Sequence, residues 1–194
     1  MPQAPFPCPV AGLVVVVDLW AGMGGLLVGL LAMGVRCVCL SVEQDRHLRE
    51  AQAGAFSGLV HLAKVEEVKG TMLDAVLARR HVKAILIGGG APCQGNSALN
   101  RHRKGLDDPR SQQPAELGRI IKEVKQRTQV PVFAILENVS SAPAAVVNAY
   151  SSLMGGPPLQ LDAAQWGYTR RRRFYWLVGP KRRFGCGRQH LPAS

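Results

Sequence analysis

Short apolar runs alternate along this chain with longer segments whose apolar positions recur at helical spacing. Leu13–Val17 is unbroken aliphatic, the pattern of a strand buried on both faces. The pattern then predicts an apolar helix over Leu26–Met33, a strand over Arg36–Val42 and a helix over Asp45–Ala55. Leu59–Ala63 reads as a weaker strand, and Thr71–Arg80 as a helix. Val82–Ile87 is the clearest strand of the middle, its charge confined to its start. After a long exception, Ala115–Arg127 resumes as an amphipathic helix and Val132–Leu136 as a buried strand. Ala142–Met154 reads as a helix interrupted near Pro143, and Gln160–Ala164 and Phe174–Val178 as closing strands.

Strands alternating with helices imply an α/β fold, Rossmann-like, with a mostly parallel central sheet and helices on both faces. One domain over residues 10–180 is expected, with 1–9 and 181–194 as terminal tails. Ligands of such sheets bind outside the carboxyl ends of the strands. The polar residues expected there are Asp18, Glu43, Cys93 and Glu137.

The exception is Gly88–Gln113, which is small, polar and basic. Loops of that length inside a compact domain are usually functional. It opens Gly88-Gly89-Gly90-Ala91-Pro92-Cys93-Gln94. Three glycines free the backbone for a sharp turn, and Pro92 fixes φ beside the thiol. A buried structural cysteine needs none of this; a cysteine presented to a substrate does.

Asp18-Leu19-Trp20-Ala21-Gly22-Met23-Gly24-Gly25 follows the first strand and opens a helix. With an acid, Glu43, after the next strand, this is a nucleoside-binding layout. Glu43 is placed to grip ribose hydroxyls and Trp20 to stack on adenine. The glycine spacing is not that of dinucleotide-binding turns. The plainer alternatives are a tight turn without ligand and a carboxylate at a helix N-terminus. A carboxyl after a buried strand, Glu137, is expected to hold its proton more tightly through desolvation. The arginines of Thr169–Arg173 can hold a carbonyl oxygen or a developing oxyanion. Alone, Glu137-Asn138 reads more often as a capping pair than a catalytic one, and the arginines more often as a solvated basic face.

Composition narrows the partner. The chain has 194 residues, 47% hydrophobic, with a formal net charge of +11, which suits a polyanion and nucleic acid first. No apolar run reaches membrane-spanning length, so no membrane association is expected. No basic segment precedes Val10–Val17, so no secretion signal is expected. Five cysteines without a Cys-x-x-Cys pair indicate a reducing compartment rather than a disulfide framework. Cys186 and His190 are too few for zinc, and no metal is expected. Cys37 and Cys39 share a strand face and are expected to pack as small hydrophobes.

Asp18-Leu19-Trp20-x-Gly22-x-Gly24-Gly25, Pro92-Cys93-Gln94, Glu137-Asn138-Val139 and Arg171-x-Arg173 occur in the order of the motifs of the C5-cytosine DNA methyltransferases. The chain resembles that family's catalytic core from about Val14 to Gly179. Arg103-Lys104-Gly105-Leu106 and Phe174-Tyr175-Trp176 look most like the de novo branch known from animals.

The resemblance implies methyl transfer from S-adenosylmethionine to C5 of a cytosine flipped out of DNA, leaving S-adenosylhomocysteine. Cys93 would add to C6. Glu137 would hold N3 and the exocyclic amine, and Arg173 with Arg171 would hold O2. Asp18, Trp20, Gly22, Gly24, Gly25, Glu43, Val65 and Pro92 would bind the cofactor. Asn138 would order the Pro-Cys loop. The loop Gly95–Arg110 would close over DNA, with Ser97, Arg101, Arg103 and Lys104 near phosphates. The location implied is the nucleus of a eukaryote, where the modification is epigenetic, and otherwise the cytoplasm.

Three departures stand out. Trp20 replaces the family's usual phenylalanine. Where relatives place an acid to meet the adenine amine, this chain has Lys64-Val65, with Glu66 and Glu67 just after. The family's target recognition region and closing helix are expected beyond Gly179, where only Pro180–Ser194 follow. The expectation is therefore weak cofactor binding, and a protein partner supplying target recognition. The alternatives to a DNA enzyme are a tRNA cytosine-5 methyltransferase and an inactive truncated or accessory module.

Overall fold

In the computed structural model, residues 12–78 and 81–180 are described. Cys8, Arg79, Arg80, Lys181–Arg183, Cys186, His190 and both expected tails lie wholly or mostly outside them. Among the described residues, seven strands form one sheet: β1 (Leu13–Leu19), β2 (Cys37–Val42), β3 (Val60–Leu62), β4 (Val82–Gly90), β5 (Val132–Val139), β6 (Leu159–Asp162) and β7 (Arg172–Val178). Their order is β3-β2-β1-β4-β5-β7-β6, parallel except where β7 runs against β5 and β6. Six helices accompany them: α1 (Gly25–Ala32), α2 (Arg46–Ala55), α3 (Asp74–Leu77), α4 (Pro109–Gln112), α5 (Pro114–Arg127) and α6 (Ala144–Met154).

The larger core packs α5 and α6 against one face, around Val15, Ile85, Leu136, Leu117, Ile120 and the wholly buried Trp176. The smaller core sets α1 against Val14, Val16 and Cys39 on the other face. Helices thus lie on both faces, as the alternation of elements predicts. On the α1 face, the β5-β7-β6 end of the sheet leaves Leu159, Leu161 and Leu177 exposed.

Several elements depart from the sequence pattern. Gly88–Gly90 do not form a turn; they prolong β4, paired with Ile135–Glu137. Gly88 and Gly89 have φ of +147° and +155°, and a Cβ there would strike the carbonyls of Ile135 and Leu19. Only glycine lets the chain lie that close, and without side chains it gives no hydrophobic signal. Asp18 and Glu137 likewise lie inside their strands rather than after them. The expected helix Thr71–Arg80 reduces to a 3-10 turn over Gly70–Leu73 and the single turn α3. The expected strand Gln160–Ala164 stops at Asp162, whose side chain accepts from Ala164 N and caps a 3-10 turn over Ala163–Trp166.

Candidate active site

Glu137 and Asn138 are neighbours on β5, so their side chains point to opposite faces of the sheet. Their surroundings differ accordingly.

Glu137 faces the α1 side, opposite Tyr175 of β7, which in turn faces Leu159 of β6. A cavity of about 600 Å³ opens there, lined by Glu137, Arg171, Arg173, Tyr175, Trp166 and Tyr168. Arg173 Nε stands 2.6 Å from Glu137 Oε1, yet that buried oxygen has no aligned hydrogen-bond donor. Burial raises the Glu137 pKa above the ordinary carboxylate value, with Arg173 and then Arg171 pulling it partly back. The carboxyl is thus held near an opposite charge with hydrogen-bonding capacity left over.

The four consecutive arginines do not act alike. Asp162 Oδ2 lies 3.4 Å from Arg170 Nε and 3.2 Å from Arg172 Nε. Its Oδ1 accepts from Arg171 N and Ala164 N, each at 3.1 Å. Arg172, which opens β7 opposite Asp162, and Arg170 just before the strand turn toward Asp162, and Arg171 and Arg173 line the Glu137 cavity.

Asn138, on the α6 side, donates from Nδ2 to Ala91 O (3.2 Å), and its Oδ1 accepts from Asn96 Nδ2 (3.4 Å). Asn96 is fully buried; its Nδ2 also donates to Tyr150 Oη (3.2 Å), and its Oδ1 accepts from Ser111 Oγ (2.7 Å). Tyr150 Oη donates to Ser111 O at 2.9 Å, so the amides, the hydroxyls and the Pro-Cys loop form one network. Cys93 O accepts from Asn96 N and Ser97 N at 2.9 and 2.8 Å, closing the turn that carries the thiol.

That loop is tied rather than open. Arg103, expected near phosphates, donates to Asn96 O (3.2 Å) and Ser141 O (2.7 Å), because the loop's turn leaves those carbonyls without a backbone partner of their own. Ser97 is half-buried, and Arg101 and Lys104 are exposed.

A second cavity, of about 900 Å³, lies on the far side of Gly90, which lines both. Its walls include Trp20, Glu43, Val65, Glu66 and Pro92, with Arg110 and Gln113 contributed from the loop side. Trp20 has φ +55°, among the described residues the sole positive φ outside glycine, and its Nε1 donates to Gln113 Oε1 at 2.7 Å. Glu43 Oε2 accepts from Gly22 N (2.8 Å) and Oε1 from Asp45 N (2.9 Å), while Gln52 Nε2 donates to Gly22 O at 2.6 Å. Gly22 (φ +56°) and Gly24 (φ +81°) take conformations that favour glycine.

The expected cofactor residues therefore divide. Trp20, Glu43, Val65 and Pro92 line the larger cavity, and Gly25 lines the Glu137 cavity instead. Asp18 lines neither: it is 2% exposed within β1, flanked by Ser41 and Gly88. Burial, then Glu43, pushes its carboxyl up to about 7. Cys93 is half-buried between Pro92 and Gln94, both of which line the larger cavity, and does not itself line either one. Burial pushes the Cys39 thiol up to about 12, in keeping with a packing role.

The structure adds residues that the sequence did not single out. Of the two acids after Val65, Glu66 lines the larger cavity, while Glu67 turns back to accept from Ala63 N and Lys64 N. Gln113, Trp166, Tyr168 and Asp162 were unmarked, whereas Glu66 and Glu67 were named only as acids following Val65. No sequence signal separates Glu67 from Glu66, since Lys64 at the N-cap carries no acceptor for a capping pair.

The chain is 29% identical over 182 residues to the type II methyltransferase M.XorII of Xanthomonas oryzae, an alignment covering 86% of this chain and 40% of that protein. It is 32% identical over 127 residues to M1.HphI of Haemophilus parahaemolyticus, covering 64% and 32%. Its fold matches a DNA modification methyltransferase encoded in an E. coli prophage at TM-score 0.62 and 25% identity, over 84% of this chain and 46% of that one. The Entamoeba histolytica methyltransferase EhMeth matches at TM-score 0.64 and 15% identity, over 85% and 52%. The chain thus spans about half or less of the length of these relatives. The sequence profile of C-5 cytosine-specific DNA methylases matches residues 14–144, which hold the glycine turn, the Pro-Cys turn and the Glu-Asn-Val strand end. By that match the chain belongs to the C-5 cytosine-specific DNA methylase family.

Proposed function

We propose that this chain is the catalytic part of a DNA cytosine-5 methyltransferase working through a covalent Cys93 adduct. The observation that carries the reading is the pair of cavities meeting at Gly90, one lined by a raised carboxyl with two arginines, the other by an indole and two acids.

The larger cavity fits S-adenosylmethionine by its donor set. Trp20 offers an aromatic face for adenine. Glu43 spends one lone pair per oxygen on backbone N–H groups and keeps acceptor capacity for ribose hydroxyls. Glu66 is the acid available to the adenine amine. When bound, the cofactor supplies an electrophilic methyl group.

The chain's own groups act on the cytosine. Glu137, whose pKa burial raises, would share a proton with N3 and accept from the exocyclic amine. Arg171 and Arg173 would hold O2. Cys93 Sγ would bond to C6, moving the C5–C6 electron pair toward C5, which takes the methyl group. Loss of the C5 proton to a base then restores the double bond, and the C6–S bond breaks with its electrons returning to the thiolate. Asn138 would hold the Pro-Cys turn through Ala91 O. Ser97, Arg101 and Lys104 would meet DNA phosphates.

The test is trapping on duplex DNA containing 5-fluorocytosine, with S-adenosylmethionine present. The expected result is a covalent adduct with the parent chain and none with Cys93→Ser. An adduct on tRNA but not DNA would move the substrate to RNA, and no adduct on either would sink the reading for this chain.

A further inference from the structure

Trp166 and Tyr168 are 61% and 74% exposed, yet both line the cavity that holds Glu137, Arg171 and Arg173. Large aromatic surface left in water at the mouth of a cationic cavity is unusual for a solvated face. The two rings are not on a loose segment. They flank Gly167 at the end of a 3-10 turn, where Gly167 N donates to Ala164 O (3.2 Å) and Tyr168 N to Ala163 O (3.3 Å). Asp162 caps the same turn, accepting from Ala164 N, and fastens its far end through Arg171 N. The turn is thereby pinned at both ends, and its rings are presented at the rim.

The charge beside the rings names the partner. Arg171, which is exposed, and Arg173 line the same cavity as the rings, with Glu137 the carboxyl among them, so the rim keeps net positive charge. Aromatic faces beside a guanidinium row suit a strand whose phosphates follow the cations while its unpaired bases lie on the rings. A paired duplex hides its base faces, so only unpaired bases can use the rings.

We propose that Trp166 and Tyr168 form a stacking platform for unpaired bases of a nucleic-acid strand at the mouth of the Glu137 cavity. It deepens, and rests on, the reading of that cavity as the site of a flipped cytosine. The platform would receive a base next to the target, or the target itself on entry. Its preference is for base faces rather than for base identity.

The probe is a single-stranded oligo(dT), titrated against the same length of abasic strand by fluorescence anisotropy and tryptophan emission. Neither strand contains cytosine, so the result is independent of covalent trapping, and a trapping-negative chain can still bind or fail to bind oligo(dT). Trp166 is the most exposed of the three tryptophans, Trp176 being fully buried and Trp20 partly so. Oligo(dT) is expected to bind about 10-fold or more tightly than the abasic strand and to quench emission. Trp166→Ala and Tyr168→Ala should each remove most of that preference while leaving the abasic affinity alone, and Trp166→Phe should keep the preference and lose the quenching. Equal affinity for the two strands, or an unchanged preference in Trp166→Ala, would overturn the platform. So would concentration-dependent self-association of the parent chain that Trp166→Ala abolishes, which would assign the rings to a second copy of the chain.

Discussion

Arg173 Nε approaches Oε1 of Glu137 to 2.6 Å without the alignment of a hydrogen bond. The guanidinium therefore steadies the carboxylate by charge while leaving its oxygens for another partner. Burial raises the Glu137 pKa, and Arg173 is the larger of the two charges that lower it. Replacing Arg173 by Gln should let that pKa climb further. If Glu137 works protonated, the alkaline limb of kcat for cytosine methylation moves to higher pH in Arg173→Gln, while O2 binding is weakened. Glu137→Gln should lower kcat about 100-fold or more. A pH–rate profile of both variants checks the assignment; an unshifted limb in Arg173→Gln counts against it.

Asp18 binds its proton more tightly folded than unfolded, at about 7 against 3.8. The native state is thus favoured where Asp18 stays protonated, and that advantage is lost as pH rises through about 7. Ionising the buried carboxyl costs up to about 4 kcal/mol on this difference. Asp18→Asn should flatten the decline. Urea unfolding at pH 3.5, 5 and 8 should show the variant gaining on the parent progressively as pH rises, by about 4 kcal/mol at pH 8 relative to pH 3.5 and by less than half of that at pH 5. A gap of equal size at all three pH values would exonerate Asp18.

Gly89→Ala would drive a methyl group into the Leu19 carbonyl at φ +155°. Destabilisation of more than ~3 kcal/mol is expected, seen as loss of soluble protein or a collapsed melting temperature. Gly156, whose Cβ would meet nothing within 4 Å, is the control, and Gly156→Ala should shift stability by less than ~0.5 kcal/mol.

Tyr150→Phe removes one hydroxyl from the network beneath the Pro-Cys turn, leaving Asn96 Nδ2 and Ser111 O short of a partner. The expected loss is ~1–3 kcal/mol in urea, with faster proteolysis within residues 95–110. Unchanged proteolysis there would detach the network from the loop's order.

Trp20→Phe keeps an aromatic face and drops the bond to Gln113. Calorimetry with S-adenosylhomocysteine should show affinity reduced about 3- to 10-fold, as one hydrogen bond allows. Gln113→Leu should match it, and the double variant should add nothing further. Additive losses would mean the two residues act separately.

Most of the sheet was legible because buried parallel strands announce themselves as unbroken aliphatic runs, as in Leu13–Val17 and Val132–Leu136. The strand ends were not. Gly88–Gly90 carry no side chains, and Glu137-Asn138 are polar, so both read as the end of a strand. Each stays in register because tertiary partners accept it: the Ile135 and Leu19 carbonyls crowd the glycines, and the Asn96 network satisfies Asn138. Motif spacing marked Glu137, Arg173, Trp20 and Glu43. It could not mark Trp166 and Tyr168, since an aromatic residue at a rim and one in a core look alike in sequence. Nor could it sort four adjacent arginines, a task done by Asp162 from the neighbouring strand.

Gly90 lines both cavities, and a Cβ there would come within 2.8 Å of Glu137 Oε2. The partition between the two chambers is therefore as thin as a polypeptide can make it, one peptide unit with no side chain. Any larger residue at position 90 would thicken that wall and push the Glu137 carboxyl aside in the same stroke. On the proposed function, donor and acceptor would then lodge in separate rooms, each able to bind its own guest and neither able to reach the other.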